Sequence, residues 1–195
     1  EIVHTPLFIW DPRFPESAGT SRAALVQTID LPVTILQFFG IDPAADMQGQ
    51  DISRIIKEDK GSRTCGLFGI FGAHLCCTDG RYVYMRAPRN LEAPLHEYTL
   101  MPTHMMTFFT TKELESMERH EAFSFTKNCP VMQIDADPAV RCMEEGDYLF
   151  DLQNDPGQEH PIVSEEITGE MGRTMYRLMR LNDAPEELYL RFGFA

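Results

Sequence analysis

Two short apolar runs joined by an Asp-Gly turn constrain the fold of this chain more than any other feature. Residues 73–78 and 81–87 have the composition of β-strands, and Asp79-Gly80 stands between them. An Asp-Gly pair in this setting is a strong signal for a tight hairpin, because hairpin turns need residues that tolerate positive φ. A further strand is predicted over residues 65–71. The sequence therefore predicts an antiparallel meander.

The part of the chain before the meander predicts one strand and two helices. Residues 2–10 form an apolar run without alternation, which is typical of a strand covered on both faces. Ser21 can cap a first helix, a second helix begins at Asp30, and Gly40 supplies its C-terminal stop. We expect these two short helices to follow one another in series.

The part after the meander predicts a final strand and a long amphipathic helix. Residues 147–152 favour a strand, and Ser164 can cap a helix in which apolar residues recur at helical spacing, among them Met171 and Met175. We expect this apolar stripe to pack on the meander. Residues 88–146 show an irregular pattern with a capping box at Thr110 that predicts a helix to about His120.

These elements predict an α+β fold class with two units. Residues 1–60 are interpreted as the C-terminal end of a large α/β domain. Residues 61–195 are interpreted as a smaller subdomain, an antiparallel sheet packed on a C-terminal helix, with an insertion at about 91–145. The charged residues 57–63 predict a solvated linker between the two units.

The composition excludes some classes of partner. A formal net charge of −13 argues against tight binding to nucleic acid or to anionic lipid, because both need clustered Lys and Arg. No stretch approaches the roughly 20 apolar residues of a membrane-spanning helix. Five cysteines cannot all pair within one chain, so free thiols are expected, and these favour a reducing compartment.

Five stretches of the chain carry a family resemblance when taken together and in order. They are residues 4–12 (HTPLFIWDP), 27–41 (QTIDLPVTILQFFGI), 47–52 (MQGQDI), 78–84 (TDGRYVY) and 148–156 (YLFDLQNDP). This set resembles the C-terminal part of the sulfatases, members of the alkaline-phosphatase superfamily. Two departures stand out, since Gln158 and Pro161 replace a common acid and Asn, and residues 91–145 match no general motif of the family.

The resemblance implies a parent protein that cleaves sulfate esters with a formylglycine and a calcium ion. The family makes formylglycine from a Cys or Ser in a C/S-x-P-x-R motif, and no Cys or Ser of this chain has that context. The resemblance therefore puts the nucleophile and the metal ligands upstream of Glu1. It implies no catalytic and no metal-binding residue in this chain, which is expected to be inactive alone and to have the upstream catalytic domain as its partner.

The resemblance further implies that this chain helps to select a sulfated small molecule or carbohydrate. His74 follows the small residues Gly72 and Ala73, where a ligand could approach and the imidazole could donate to a hydroxyl or a sulfate oxygen. His104 lies in a Met-rich loop and is the second candidate. For both, an ordinary hydrogen-bonded or core-closing role stays open.

Three arginines of the meander, and the function as a whole, leave further alternatives. Arg81, Arg86 and Arg89 either form a cationic rim for a sulfated glycan or are solvated or paired on the hairpin. A phosphodiester or phosphonate monoester hydrolase of the same superfamily is a rival function, and a non-catalytic binding domain is another.

Overall fold

Two antiparallel sheets and a long helix near the C-terminus give the chain an α+β fold, which confirms the predicted fold class. The computed structural model describes residues 4–101, 103–136 and 146–194. Its helices are α1 (Asp30–Phe38), α2 (Ser53–Glu58), α3 (Thr111–Ser116), α4 (Glu165–Leu181) and α5 (Glu186–Arg191). Its strands are β1 (Gly66–Gly69), β2 (Leu75–Thr78), β3 (Tyr82–Arg86), β4 (His96–Thr99), β5 (Glu118–His120), β6 (Val131–Asp135) and β7 (Tyr148–Asp151).

The predicted meander is confirmed as part of a four-stranded sheet with the order β1-β2-β3-β7. The turn between β2 and β3 is held by Asp79, whose Oδ1 accepts hydrogen bonds from the backbone N–H groups of Arg81 at 2.8 Å and Tyr82 at 2.7 Å. Gly80 has a φ of +95°, a conformation that side-chain-bearing residues rarely adopt. The Asp-Gly signal therefore acted through both of its residues.

Strand β7 pairs with β3 although a long segment separates them in sequence, with Tyr82 opposite Asp151. The two ends of that intervening segment meet at Asp147. Its Oδ1 accepts from the backbone N–H of Ala87 at 2.9 Å, and its Oδ2 accepts from the hydroxyl of Tyr84 at 2.7 Å. One carboxylate therefore joins the entry and the exit of the segment.

Helix α4 covers this sheet and forms the main core. Ser164 caps it by accepting the backbone N–H of Ile167, as predicted. Met171, Met175 and Met179 are 5%, 0% and 3% exposed and pack with Cys77 of β2. The predicted apolar stripe is confirmed, and thioether side chains fill the space between helix and sheet.

Cys65, Cys77 and Cys129 carry free thiols, as the sequence favours. Cys65 and Cys77 are buried in the main core and Cys129 is exposed, whereas Cys142 lies outside the described residues. The hydrogen bond with Cys65, together with burial, raises the pKa of the Cys77 thiol, so it stays protonated and unreactive. The reducing compartment stays a prediction.

The segment predicted to be an irregular insertion contains a second sheet, so that prediction was incomplete. Strands β4, β6 and β5 form a three-stranded antiparallel sheet in that order. The capping box at Thr110 is present, but α3 ends at Ser116 and Glu118 begins β5, where a helix to about His120 was predicted. Glu118 lies opposite Gln133 of β6, and this long-range pairing overrides the local helix signal.

The strand predicted over residues 2–10 is wrong for its described part. Residues 4–10 form no strand, and Phe8 and Trp10 are 93% and 72% exposed. Among the described residues no neighbouring strand accepts their backbone hydrogen bonds, and an apolar run becomes a buried strand only when a sheet and a second layer surround it. Residues 1–3 lie outside the described residues.

The helix predicted from Ser21 is also wrong, whereas the helix from Asp30 is confirmed. Tertiary hydrogen bonds hold the preceding segment in an irregular path. The carboxylate of Asp59 accepts the backbone N–H of Ala23 at 2.9 Å, and the Nη2 of Arg22 donates to the carbonyl of Ile56 at 2.6 Å. These bonds come from the region of α2, so the local sequence does not reveal them.

None of the helices in the described ranges is long and apolar enough to cross a membrane.

Candidate ligand-binding cleft

A cleft of about 700 Å³ lies where the turn between β1 and β2, the loops around β4, and α5 meet. Both histidines singled out in the sequence line it, although 30 positions along the chain separate His74 from His104. Much of the rest of its wall is apolar, with contributions from Leu67, Phe71, Leu95, Phe109, Leu188 and Phe192. An apolar cleft with a few polar groups is the usual form of a small-molecule site.

His74 stands directly before β2 and is only 7% exposed. Its Nε2 lies 2.7 Å from the carbonyl oxygen of Gly146. A carbonyl only accepts, so Nε2 carries the proton and Nδ1 of a neutral ring is left as an acceptor. The donor at Nε2 is therefore already used within the fold, whereas the sequence predicts a donor for the ligand.

His104 is fixed between two carboxylates at the edge of the cleft. Its Nε2 lies 2.6 Å from Oε1 of Glu113, and its Nδ1 lies 3.6 Å from Oε2 of Glu97. Hydrogen bonds from the hydroxyl and the backbone N–H of Thr110, and then from His104, lower the pKa of Glu113 to about 2. An ionised Glu113 thus serves both the cap of α3 and the orientation of His104.

A polar network between β4 and α5 forms another part of the wall, and the sequence analysis missed it. Glu187 accepts from the backbone N–H of His96 at 3.0 Å, from its Nδ1 at 2.7 Å and from the hydroxyl of Tyr98 at 2.9 Å. Burial first, and then the bond to Glu187, raises the pKa of Tyr98. His96 and Glu187 are 91 positions apart, so no local motif links them.

Arg191 is the most deeply buried charge of the cleft and was also missed. The residue is 2% exposed and is the last residue of α5. Its Nη1 lies 3.4 Å from the carbonyl of Ala93, and its Nη2 lies 3.5 Å from the carbonyl of Gly72. Its Nε has no acceptor among the described residues. In a short helix with charged neighbours, a single Arg gives no sequence signal of burial.

The three arginines of the meander are engaged within the fold, which favours the paired alternative over a free cationic rim. Arg81 pairs with Asp151 at 3.1 Å, and Arg89 pairs with Asp147 at 2.6 Å. Arg86 donates from Nε to a backbone carbonyl at 2.7 Å. None of the three lines the cleft.

Within residues 4–101, 103–136 and 146–194, no three His, Cys, Asp or Glu side chains are arranged to hold a metal ion. No family model matches the chain, and no curated protein matches it significantly.

Proposed function

We propose that this chain is the C-terminal part of a sulfatase-like hydrolase that cleaves sulfate esters, and that its cleft takes part in selecting the substrate. One observation carries the proposal. The stretches TDGRYVY and YLFDLQNDP, which are far apart in sequence, pair as β3 and β7 with Tyr82 opposite Asp151. The ion pair between Arg81 and Asp151 at 3.1 Å joins them again. Two stretches of the resemblance thus form one structural unit.

Several large apolar side chains in the first part of the chain are exposed, which supports a covering partner. Phe8, Trp10, Ile35 and Phe39 are 93%, 72%, 57% and 70% exposed. Exposed apolar patches of this kind mark surfaces that another protein layer covers. In this proposal that layer is the catalytic domain of the same hydrolase.

The division of labour in the proposal follows from the side chains present. The catalytic domain would contribute formylglycine as nucleophile and calcium as the cation that stabilises developing charge. This chain contributes binding and orientation through an apolar wall, the fixed imidazole of His104 and the acceptor of His74. No catalytic role is proposed for either histidine.

The first test is hydrolysis of an aryl sulfate by the full-length protein, with calcium and then with a chelator. We expect turnover that is lost on chelation and lost again when the Cys or Ser of the formylglycine motif is replaced by Ala. Turnover of a phosphate diester or phosphonate ester, but not of the sulfate, would favour the rival hydrolase. Absence of any turnover, in a protein without the motif, would favour a binding domain.

A second test addresses the cleft. In the full-length enzyme, H104Q should raise KM for the aryl sulfate and leave kcat nearly unchanged, since it removes binding and no reacting group. H160Q is the matched control, because His160 is exposed and does not line the cleft. Equal KM values for the two variants would remove His104 from substrate selection.

A further inference from the structure

We propose that the cleft binds an organic anion with an apolar or aromatic body, and that the guanidinium of Arg191 holds its oxyanion group. The proposal goes beyond the sulfatase assignment, because it rests on the cleft alone. It names the side chain that holds the oxyanion and the apolar wall that holds the rest of the ligand, neither of which the proposed function specifies.

Arg191 carries a buried charge that no counter-charge of the described residues balances. Arg191 is 2% exposed, and a guanidinium stays protonated in proteins. No carboxylate of the described residues forms an ion pair with it, although the chain has 30 acidic residues. Buried charges in proteins are normally paired, since an uncompensated one is costly. The missing negative charge is what a ligand would supply.

The guanidinium of Arg191 also has N–H donors that the fold uses only weakly or not at all. The bonds from Nη1 and Nη2 to the carbonyls of Ala93 and Gly72 are long, at 3.4 and 3.5 Å, and no acceptor within the described ranges faces Nε. Neutral carbonyls also leave the positive charge unbalanced. A carboxylate, sulfate or sulfonate suits an arginine better, because two of its oxygens accept two parallel N–H groups.

Most of the remaining wall of the cleft is apolar. Apolar side chains such as Phe71, Leu95 and Phe109 line a space of about 700 Å³, which suits a ligand the size of a small organic molecule. The chain as a whole carries a net charge of −13 and does not attract polyanions. The structure therefore favours a ligand with one local anionic group on an apolar body.

A purely structural role is the competing explanation. Arg191 is the last residue of α5, where a cation is favourable, and its two carbonyl contacts join α5 to neighbouring loops. On that explanation the cleft would bind apolar molecules equally well with or without a negative charge. The two explanations therefore differ in the dependence of affinity on ligand charge.

The experiment is calorimetric titration of the full-length protein with three probes at constant ionic strength. These are 4-bromobenzenesulfonate, the neutral 4-bromobenzyl alcohol and inorganic sulfate. We expect the sulfonate to bind more tightly than either of the other two. R191Q should weaken sulfonate binding by about tenfold to a hundredfold, as expected for loss of charged hydrogen bonds. R177Q is the matched control, because Arg177 is exposed on α4, and its affinity should equal that of the wild type.

Crystals of the wild-type protein soaked in 4-bromobenzenesulfonate keep the proposal testable if R191Q does not fold. The anomalous signal of bromine should lie in the cleft, with the sulfonate oxygens within hydrogen-bond distance of Arg191. A signal only on the exposed apolar surface near Phe8, or equal affinity for the sulfonate and the alcohol, would overturn the proposal. The sulfonate is not hydrolysed, so neither readout depends on whether the protein cleaves sulfate esters.

Discussion

The N-terminal region (residues 4–63) and the C-terminal region (residues 65–194) are stabilised in different ways. Residues 65–194 enclose an apolar core between α4 and the four-stranded sheet, with Met175 and Cys77 both 0% exposed. Residues 4–63 have only a small cluster around Ile52, Ile55 and Ile56, and expose large apolar side chains on their surface. The C-terminal region therefore has a large buried core, although residues such as Leu181 and Leu190 stay exposed, whereas the N-terminal region buries only the small cluster.

Polar side chains compensate for the small core of the N-terminal region. Asp30 is 1% exposed, and its carboxylate accepts the backbone N–H groups of Gln27 and Gln50, both at 2.8 Å, and pairs with Arg63. The predicted solvated linker thus ends in a residue that the fold uses. The difference teaches that a region can be well ordered by side-chain to backbone bonds while its apolar surface stays available to a partner.

The largest expected effect on stability comes from removing the Asp30 carboxylate at the centre of the polar network of the N-terminal region. D30A should lower the free energy of unfolding by about 3–5 kcal/mol, because it leaves a largely buried Arg63 and two backbone donors without their acceptor. Urea denaturation measures this effect. The control is D42A, at an exposed position. An equal change in the free energy of unfolding of the two variants would show that the Asp30 network does not stabilise the N-terminal region.

The loss of stability from a core substitution in the C-terminal region should be slightly smaller. M175A should cost about 2–5 kcal/mol, because it removes a fully buried side chain and leaves a cavity between α4 and the sheet. L181A, at a residue of the same helix that is 68% exposed, is the control and should change stability by less than about 0.5 kcal/mol. Similar values for both variants would mean that α4 does not seal the core.

The exposed apolar surface gives a third prediction with little effect on stability. F8S should leave the free energy of unfolding within about 0.5 kcal/mol of the wild type, since Phe8 is 93% exposed. In the 195-residue chain the same change should reduce self-association, because it removes part of an apolar patch. Light scattering at increasing protein concentration tests this point, and a wild-type chain that stays monomeric would contradict it.

The smallest effect concerns how the contribution of Glu113 to the stability of the fold depends on pH below 4.5. Hydrogen bonds from Thr110 and then His104 lower the pKa of Glu113 to about 2, from an ordinary 4.5. The resulting stabilisation is therefore present above pH 4.5 and is lost as the pH falls toward 2. The difference in stability between wild type and E113Q should shrink over this pH range in urea denaturation. A difference that stays constant with pH would contradict the assignment, and E115Q, an exposed position on α3, is the control.

The sequence predicted best those elements whose signals are local. The hairpin depends on Asp79 and Gly80, and α4 depends on the cap at Ser164 and on its methionine stripe. Each of these signals lies within a few residues of the element that it sets. The strand over residues 2–10 and the helix from Ser21 failed because their outcome depends on residues elsewhere in the chain.

The cleft was predictable only in part, for the same reason. His74 was identified through its small neighbours and His104 through its loop, and the fold brings both to one cleft. Arg191, and Glu187 with its partner His96, gave no local signal, because burial and pairing between distant segments define their roles. The second sheet was missed because its short strands show little alternation of polar and apolar residues.

The carboxylate of Asp147 has a consequence for how this fold can vary. It holds the start of the 88–146 segment, through the backbone N–H of Ala87, next to the point where the chain returns to β7. The entropic cost of closing a loop grows only slowly with its length. The segment can therefore change in length at a small entropic cost while β3 and β7 keep their register, provided that the cleft residues it carries, such as His104, are kept.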